Sequence, residues 1–507
     1  MLSGTNSGKI ETNHKKRIGI IGTGLAGESV AYFLQNHSPH EVAAIFEANS
    51  KPGLHAHSIE VEGCPVDVPL RAVSPHYYPN LMALYHVLGV ELQTVDYSCC
   101  GNYFKPNELV FRHDNFQVCG FAIPRIPWSD YVSLRLAVRS LRIVLDLLWF
   151  VFTGPFHLMM KRLGHGVTLG SFLRRERYSY DFVHLFLYPV MSSLLSCSYQ
   201  QVDDYPAREI LEFYCARSTT IFTGWRRVRC GVHDVSKKLL SGISQDRIRL
   251  NCSVRFVRTV GRIVEVEDAH GVIHHFDAVI IATESTSAHR IWVSKSEPAG
   301  QLLHSIRSFD ANITVHSDAS LMPTNQADWK GLNYFMNSHS SCSAASMTSA
   351  HLSEYHVPLR RAARQYFETW NPFVAPRDGT VISTVKMTRA VWTVEGGRNL
   401  RRFMEEVQGE GNVYLCGSYA TSGITLLEQA VTSACEVAEL LGAPLPFRKR
   451  PVYEAYWTFV LLAHILVLWR VIAMGLLAAV LCLSLVSQEK LVLICCPWTW
   501  WSFFQSS

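Results

Sequence analysis

The apolar positions of the chain fall into several distinct rhythms. Ile18–Ile21 is a short continuous apolar run, the residues behind it are amphipathic at helical spacing, and Glu41–Phe46 is a second short run, so strand, helix and strand are predicted. A second block, Ile248 to Val254, Phe256-Val257, Arg262 to Glu267 and Phe276 to Thr283, reads as strands with a turn at Gly271. Residues 101–128 alternate in short strand-like runs, as expected of a sheet in a substrate domain. Asn412 to Gly417 reads as a last strand, followed by a helix from about Leu426 to Leu441, and the serine-rich stretch Ser338–Ser353 reads as a surface loop.

Two apolar stretches do not fit this alternation. Ile143 to Phe152 is bracketed by Arg135, Arg139, Arg142, Lys161 and Arg162 and interrupted by Asp146 and Gly154-Pro155. It is short of the ~20 residues a full span needs; a helix on a membrane surface and a helix buried in a substrate domain both fit it. Trp457 to Val486 holds only His464 and Arg470 as strongly polar residues and reads as a single membrane-spanning anchor. Arg448-Lys449-Arg450 before it predicts that residues 1–450 face the cytosol, for instance at the endoplasmic reticulum. Leu491 to Phe504, with Pro497, Trp498, Trp500 and Trp501, reads as an interface-lying segment.

The first strand-helix-strand unit carries the strongest chemical signal. Gly22, Gly24 and Gly27 are spaced G-x-G-x-x-G at the start of the helix, and Glu47 follows 20 positions after the last glycine. Gly22 permits a tight turn, Gly24 lets backbone approach a pyrophosphate, and Gly27 lets the helix pack on the strand. A carboxylate at position 47 can accept both hydroxyls of an adenosine ribose and repels a 2′-phosphate, which favours FAD or NAD over NADP.

Composition changes the picture little. Of 507 residues 48% are hydrophobic and 18% charged, apolar for a wholly soluble enzyme, and the net charge of +5 gives no reason to invoke nucleic acid. Fourteen cysteines include the adjacent pairs Cys99-Cys100 and Cys495-Cys496 but no C-x-x-C pairing, so reduced thiols are expected. His55 and His57 have no third ligand at a recognisable spacing, and no metal site is predicted.

Residues 18–90 resemble the opening of the FAD-dependent oxidoreductases of the flavin amine-oxidase and phytoene-desaturase superfamily, in a branch described only as NAD/FAD-binding proteins. The resemblance rests on the glycine motif, on Gly53-Leu54-His55-Ala56-His57-Ser58 against a G-G-H-T-H-T loop, on Val66-Asp67, and on Tyr78-Pro79-Asn80-Leu81. Leu54 stands where the family has its second glycine, and Pro69-Leu70 where it has G-F. Further similar segments are Thr168 to Pro189, Trp225 to Val235, His316 to Pro323, Trp329 to Tyr334 and Asn412 to Gly423, so the likeness extends over most of residues 18–441.

The resemblance implies an α/β fold in which a Rossmann-type FAD-binding domain (18–100, 246–295, 406–445) is interleaved with an α+β substrate domain (101–245, 296–405). A polar tail (1–17) precedes these and a membrane anchor with a transmembrane helix (446–507) follows. It implies FAD contacts at Gly22, Thr23, Gly24, Leu25, Ala26, Gly27, Glu47, Ala48, His55, Arg71, Ala72, Ala282, Thr283, Gly417 and Ser418, and at Val254 through its backbone. His316, Asp318, Asn333 and Tyr334 fall either beside the substrate or at a sheet edge. Arg226, Arg227 and Arg229 are read as a solvated edge, with an anionic head group as the other reading. No catalytic residue stands out: Ile424 to Glu428 departs from the family pattern, and Lys330 and Lys386, candidates to hold water beside the flavin, match no motif. The expected function is a membrane-anchored FAD-dependent oxidoreductase, an oxidase, dehydrogenase or desaturase, on a hydrophobic, lipid-like or polyprenoid substrate, with its electron acceptor unspecified. An NAD-dependent dehydrogenase, a non-catalytic FAD-binding membrane scaffold and a flavin isomerase are the alternatives.

Overall fold

The computed structural model describes residues 15–53, 57–95, 98–118, 121–125, 134–159, 163, 166–216, 224–337, 345–451 and 465. The expected anchor Trp457–Val486 and the segment Leu491–Phe504 lie outside them but for position 465. Among the described residues no helix is long and apolar enough to cross a membrane.

A five-stranded parallel sheet is assembled from three distant parts of the chain. Its order is Ile248–Arg249, Glu41–Phe46, Arg17–Ile21, Ala278–Ile281 and Val413–Leu415. The first strand is central, and Ile18 and Ile20 are fully buried, which is why these strands read as continuous apolar runs rather than as alternation. The helices Leu25–His37 and Leu427–Leu440 pack against each other, and Val232–Leu240 packs on the first of them. A three-stranded antiparallel meander, Val254–Val260, Ile263–Asp268 and Ile273–Phe276, is inserted before the fourth strand.

An eight-stranded sheet forms the second layer, in the order Val381–Val391, Arg307–His316, Phe367–Trp370, Met347–His351, Leu332–Met336, Cys99–Tyr103, Glu108–Val118 and Phe121–Arg125. Its fourth strand corrects the serine-rich loop: Met347–His351 lies in mid-sheet and, apart from His351, is buried. Small hydroxyl side chains hid it, since Ser349 is satisfied internally, donating to the Leu321 carbonyl (2.8 Å) and pairing with Thr369 Oγ1 (2.8 Å).

Leu134–Met159 is one helix that runs through Gly154-Pro155 without stopping. Gly154 is there for packing: a Cβ would lie 2.3 Å from the Cys215 sulfur of the helix Ala207–Cys215. Ile143, Leu147, Phe150, Val151 and Leu158 face the core, whereas Val138, Leu141 and Leu145 on the opposite side are 40–57% exposed. The buried reading of this stretch thus holds for one face of an amphipathic helix, and the opposite face leaves apolar side chains exposed.

The basic run at 226–229 is corrected in part. Arg226 is exposed and Arg229 pairs with Glu91 at 3.1 Å, but Arg227 is buried, donating to the carbonyls of Tyr355 (2.9 Å) and Val228 (3.1 Å) and to Gln93 Oε1 (3.2 Å). Strand Trp225–Val228 pairs with Leu92–Val95, and that pairing turns every second arginine inward.

Candidate cofactor and substrate site

The carboxyl ends of the parallel strands open into two adjoining cavities, where α/β sheets bind their ligands. The first strand ends at Gly22, whose φ is +101° and whose Cβ, if present, would stand 2.6 Å from the Ala282 carbonyl oxygen. A Cβ on Gly27 would lie 2.1 Å from the Gly22 carbonyl, so helix and turn touch only because both residues are glycine. At Gly24, the N-cap of the 13-residue helix Leu25–His37, a Cβ would meet nothing within 4 Å. The backbone there borders open space, with the free N–H groups of the helix start beside it.

One cavity, of about 450 Å³, runs along the first two strand ends and is lined by Gly22, Thr23, Glu47, Ala48, Val254 and Arg290, among others. The other, of about 300 Å³, lies between the parallel sheet and the eight-stranded sheet and is lined by Leu25, Ala26, Arg71, Ala72, Gly417 and Ser418, with many apolar side chains. Gly24, Ala282, Thr283 and Glu284 belong to both walls. Gly27 lines neither cavity, and His55 lies outside the described residues.

Glu47 is almost fully buried at the end of the second strand. Its Oε2 accepts the Thr23 N–H (3.0 Å) and hydroxyl, and its Oε1 accepts the Asn49 N–H (2.9 Å) and Nδ2 (2.6 Å). All four acceptor positions are used, two of them by side chains that can swing away to admit ribose hydroxyls. Behind the glycine turn Glu28 is fully buried against Ser236, whose hydroxyl donates to Oε1 at 2.6 Å, and burial pushes its carboxyl up to about 8. At pH 7 this acid is mostly neutral and adds little negative charge near a phosphate.

The second cavity is walled by Phe186, Leu194, Tyr214, Leu332, Tyr334, Trp370 and Met387, from helices and the eight-stranded sheet. Two arginines interrupt this apolar lining. Arg71 is enclosed by protein and has no hydrogen-bond or ion-pair partner among the described residues, its Nε being buried and unpaired. Arg389 projects from the strand Val381–Val391, and its Nη1 donates to the Leu194 carbonyl at 2.7 Å.

Of the residues left open by sequence, Tyr334 lines this cavity while His316, Asp318 and Asn333 do not. His316 pairs with Thr369 Oγ1 (2.8 Å) and accepts the Asp318 N–H (3.1 Å), Asp318 holds Arg377 at 2.7 Å, and Asn333 donates to the carbonyls of Lys330 (2.8 Å) and Ser349 (2.9 Å). They are a structural network. Neither Lys330 nor Lys386 lines either cavity. Glu428 is a buried helix cap that accepts the N–H groups of Asn80 and Leu81, each at 3.0 Å. Sequence reasoning missed Asn49, Glu28 and Arg389; only Asn49, two residues past the ribose acid, carried a local signal.

The nine described cysteines are free, and no described cluster of histidine, cysteine and acidic residues could hold a metal ion.

Residues 20–88 match the family described as the NAD(P)-binding Rossmann-like domain. No curated protein matches the sequence. Among solved structures the chain is similar to a protein assigned as a protoporphyrinogen oxidase from Exiguobacterium sp. 255-15, at 14% identity and a TM-score of 0.58 over 84% of this chain and 99% of that one. It is similar to the cyclohexylamine oxidase from Brevibacterium oxydans IH-35A at 14% identity and a TM-score of 0.54, over 85% of this chain and 100% of that one. A fatty acid isomerase from P. acnes follows at 11% identity and a TM-score of 0.54, over 84% and 98%. The resemblance read from the glycine loop and Tyr78-Pro79-Asn80-Leu81 therefore holds at the level of fold: the chain is a Rossmann-containing α/β protein that shares its architecture with these oxidases and this isomerase over more than four fifths of its length.

Proposed function

We propose that the protein is a membrane-anchored FAD-dependent oxidoreductase acting on a hydrophobic substrate, with residues 18–100, 246–295 and 406–445 forming its cofactor domain. The observation that carries this reading is the pair of cavities meeting at Gly24, Ala282, Thr283 and Glu284. An NAD-dependent dehydrogenase needs only the first of them, and the second leads on past Gly417 and the start of the helix Leu427–Leu440 into an apolar chamber.

The residues present suit an extended dinucleotide. Glu47 would take the ribose hydroxyls, exchanging the Thr23 and Asn49 side chains for them, and the wall at Val254 would meet the adenine. The open backbone at Gly24 and the helix start behind it would take the pyrophosphate, with Gly417-Ser418 and the backbone of Arg71-Ala72 farther along. When bound, FAD supplies a ring that accepts a hydride from a C–H or C–N bond and passes the electrons on. The chain's own contribution is to orient an apolar molecule against that ring and to exclude water with Phe186, Tyr214, Trp370 and their neighbours.

The solved structures of similar fold act, by name, on an amine, a porphyrinogen and a fatty acid. The apolar lining supports the hydrophobic end of that range. The exposed Val138, Leu141 and Leu145 beside Arg135, Arg139 and Arg142, with the apolar run Trp457–Val486, support attachment to a membrane. The test is to purify the protein in detergent and add candidate lipids anaerobically. Bleaching of a flavin band by one of them is expected; a flavin band that no candidate bleaches, with the lipid isomerised instead, favours a flavin isomerase, and a flavin band with no turnover favours a scaffold.

A further inference from the structure

The apolar chamber contains more positive charge than its own residues can answer. Arg71 follows the strand Cys64–Val68, and Arg389 comes from the eight-stranded sheet; both line the same cavity. Two acids stand near Arg71, and neither touches it. Asp67 spends its Oδ1 on the Ser58 hydroxyl (2.6 Å) and the Val232 N–H (2.8 Å), and Glu368 accepts the Leu70 N–H at 2.6 Å while its other oxygen is unpaired. Burial drives the Glu368 carboxyl well above the usual carboxylate range, which weakens it as a counter-ion for Arg71. Asp67 is shared with a third buried cation, Arg227. Burial and the nearness of Arg71 hold the Arg389 guanidinium down to about 10, where it is still charged at pH 7.

A buried guanidinium with unanswered N–H donors is costly unless something anionic completes it. Glycine loop and helix start already offer N–H groups to a cofactor pyrophosphate at Gly24, so that anion has its own receptor. We propose that Arg71 and Arg389 form an anion subsite in the chamber, and that the substrate is an amphipathic acid whose carboxylate they hold while its apolar body lies against Phe186, Trp370 and Met387. The planar forks of two arginines suit a carboxylate, which can accept several charge-assisted hydrogen bonds. The same pair repels an ammonium group, so amines of similar shape are excluded by charge rather than by size. This rests on the functional reading above, and it assigns the guanidinium of Arg71 to substrate while its backbone remains with the cofactor.

The test uses the full-length protein in a nonionic detergent, titrated with decanoate, methyl decanoate and decylamine while the flavin difference spectrum is recorded. Decanoate is expected to bind saturably, with the ester and the amine weaker by about tenfold or more, the worth of one lost charge-assisted hydrogen bond. Arg389→Met and Arg71→Met are expected to keep their flavin and to lose about tenfold or more in decanoate affinity, with Arg389→Lys between them and wild type. Equal binding of all three probes, or tightest binding of the amine, would overturn the subsite. So would variants that lose flavin but bind decanoate per remaining flavin as wild type does. If the wild-type protein carries no flavin, the functional reading fails on its own, and calorimetric titration with decanoate still decides the subsite by comparing wild type with Arg389→Lys and Arg71→Met.

Discussion

At the scale of single residues, the glycine loop shows how far spacing alone can carry an argument. The three glycines and Glu47 were legible because each answers a backbone need: a positive φ at Gly22, an open face at Gly24, a 2.1 Å conflict at Gly27. Glu28 was not legible, since nothing in the pattern of a surface-length helix marks its fourth residue as fully buried. Its raised pKa makes a sharp prediction. Between the ordinary 4.5 and about 8, the folded protein keeps a proton that the unfolded chain has released, so this group's contribution to stability is present below 4.5 and is lost as pH rises through 8. Glu28→Gln removes that dependence. Denaturant unfolding at a series of pH values is expected to show the variant gaining on wild type by up to about 1.4 kcal/mol per pH unit across that window; parallel stability curves would show that the carboxyl is ionised in the fold.

Among elements, the strands of the parallel sheet and the last helix were legible because burial on both faces gives continuous apolar runs. Arg389 was hidden for the opposite reason. The strand Val381–Val391 pairs over its whole length with Arg307–His316, and only that register, with the sheet's position over the cavity, decides where position 389 stands. Gly154-Pro155 misled by the same logic: its meaning lay in Cys215 on another helix. Glu428 links two elements and reaches towards the chain's end. From the helix Leu427–Leu440 it caps the helix Pro79–Val87 through Asn80 and Leu81, and Asn80 in turn holds both the N–H and the carbonyl of Arg450, each at 2.8 Å. Glu428→Ala leaves those buried donors unanswered, and chemical denaturation is expected to show a loss of about 3 kcal/mol or more together with reduced flavin content. A loss below about 0.5 kcal/mol would mean the cap is dispensable.

For the whole molecule, the two sheets enclose an apolar chamber beside a Rossmann cleft, and the chain continues from Arg450 towards its most apolar stretch. The interleaving of the two sheets was not derivable from local pattern, because strands about 260 residues apart, such as Arg17–Ile21 and Ala278–Ile281, meet only in the folded sheet. Ending the chain after Pro451 is expected to move the protein from the membrane pellet to the supernatant of a high-speed spin with its flavin retained; a full-length chain already soluble without detergent would refute the anchor.

The central claim is that one extended dinucleotide with a flavin at its end occupies both cavities. Its most direct test is to denature the purified full-length protein, release whatever is bound, and identify it by absorbance and mass spectrometry. The expected result is FAD at about one per chain, lost in Gly24→Trp, whose indole would fill the space over the helix start. A folded protein that releases no flavin, takes up none when FAD is added, and binds NAD instead would contradict it.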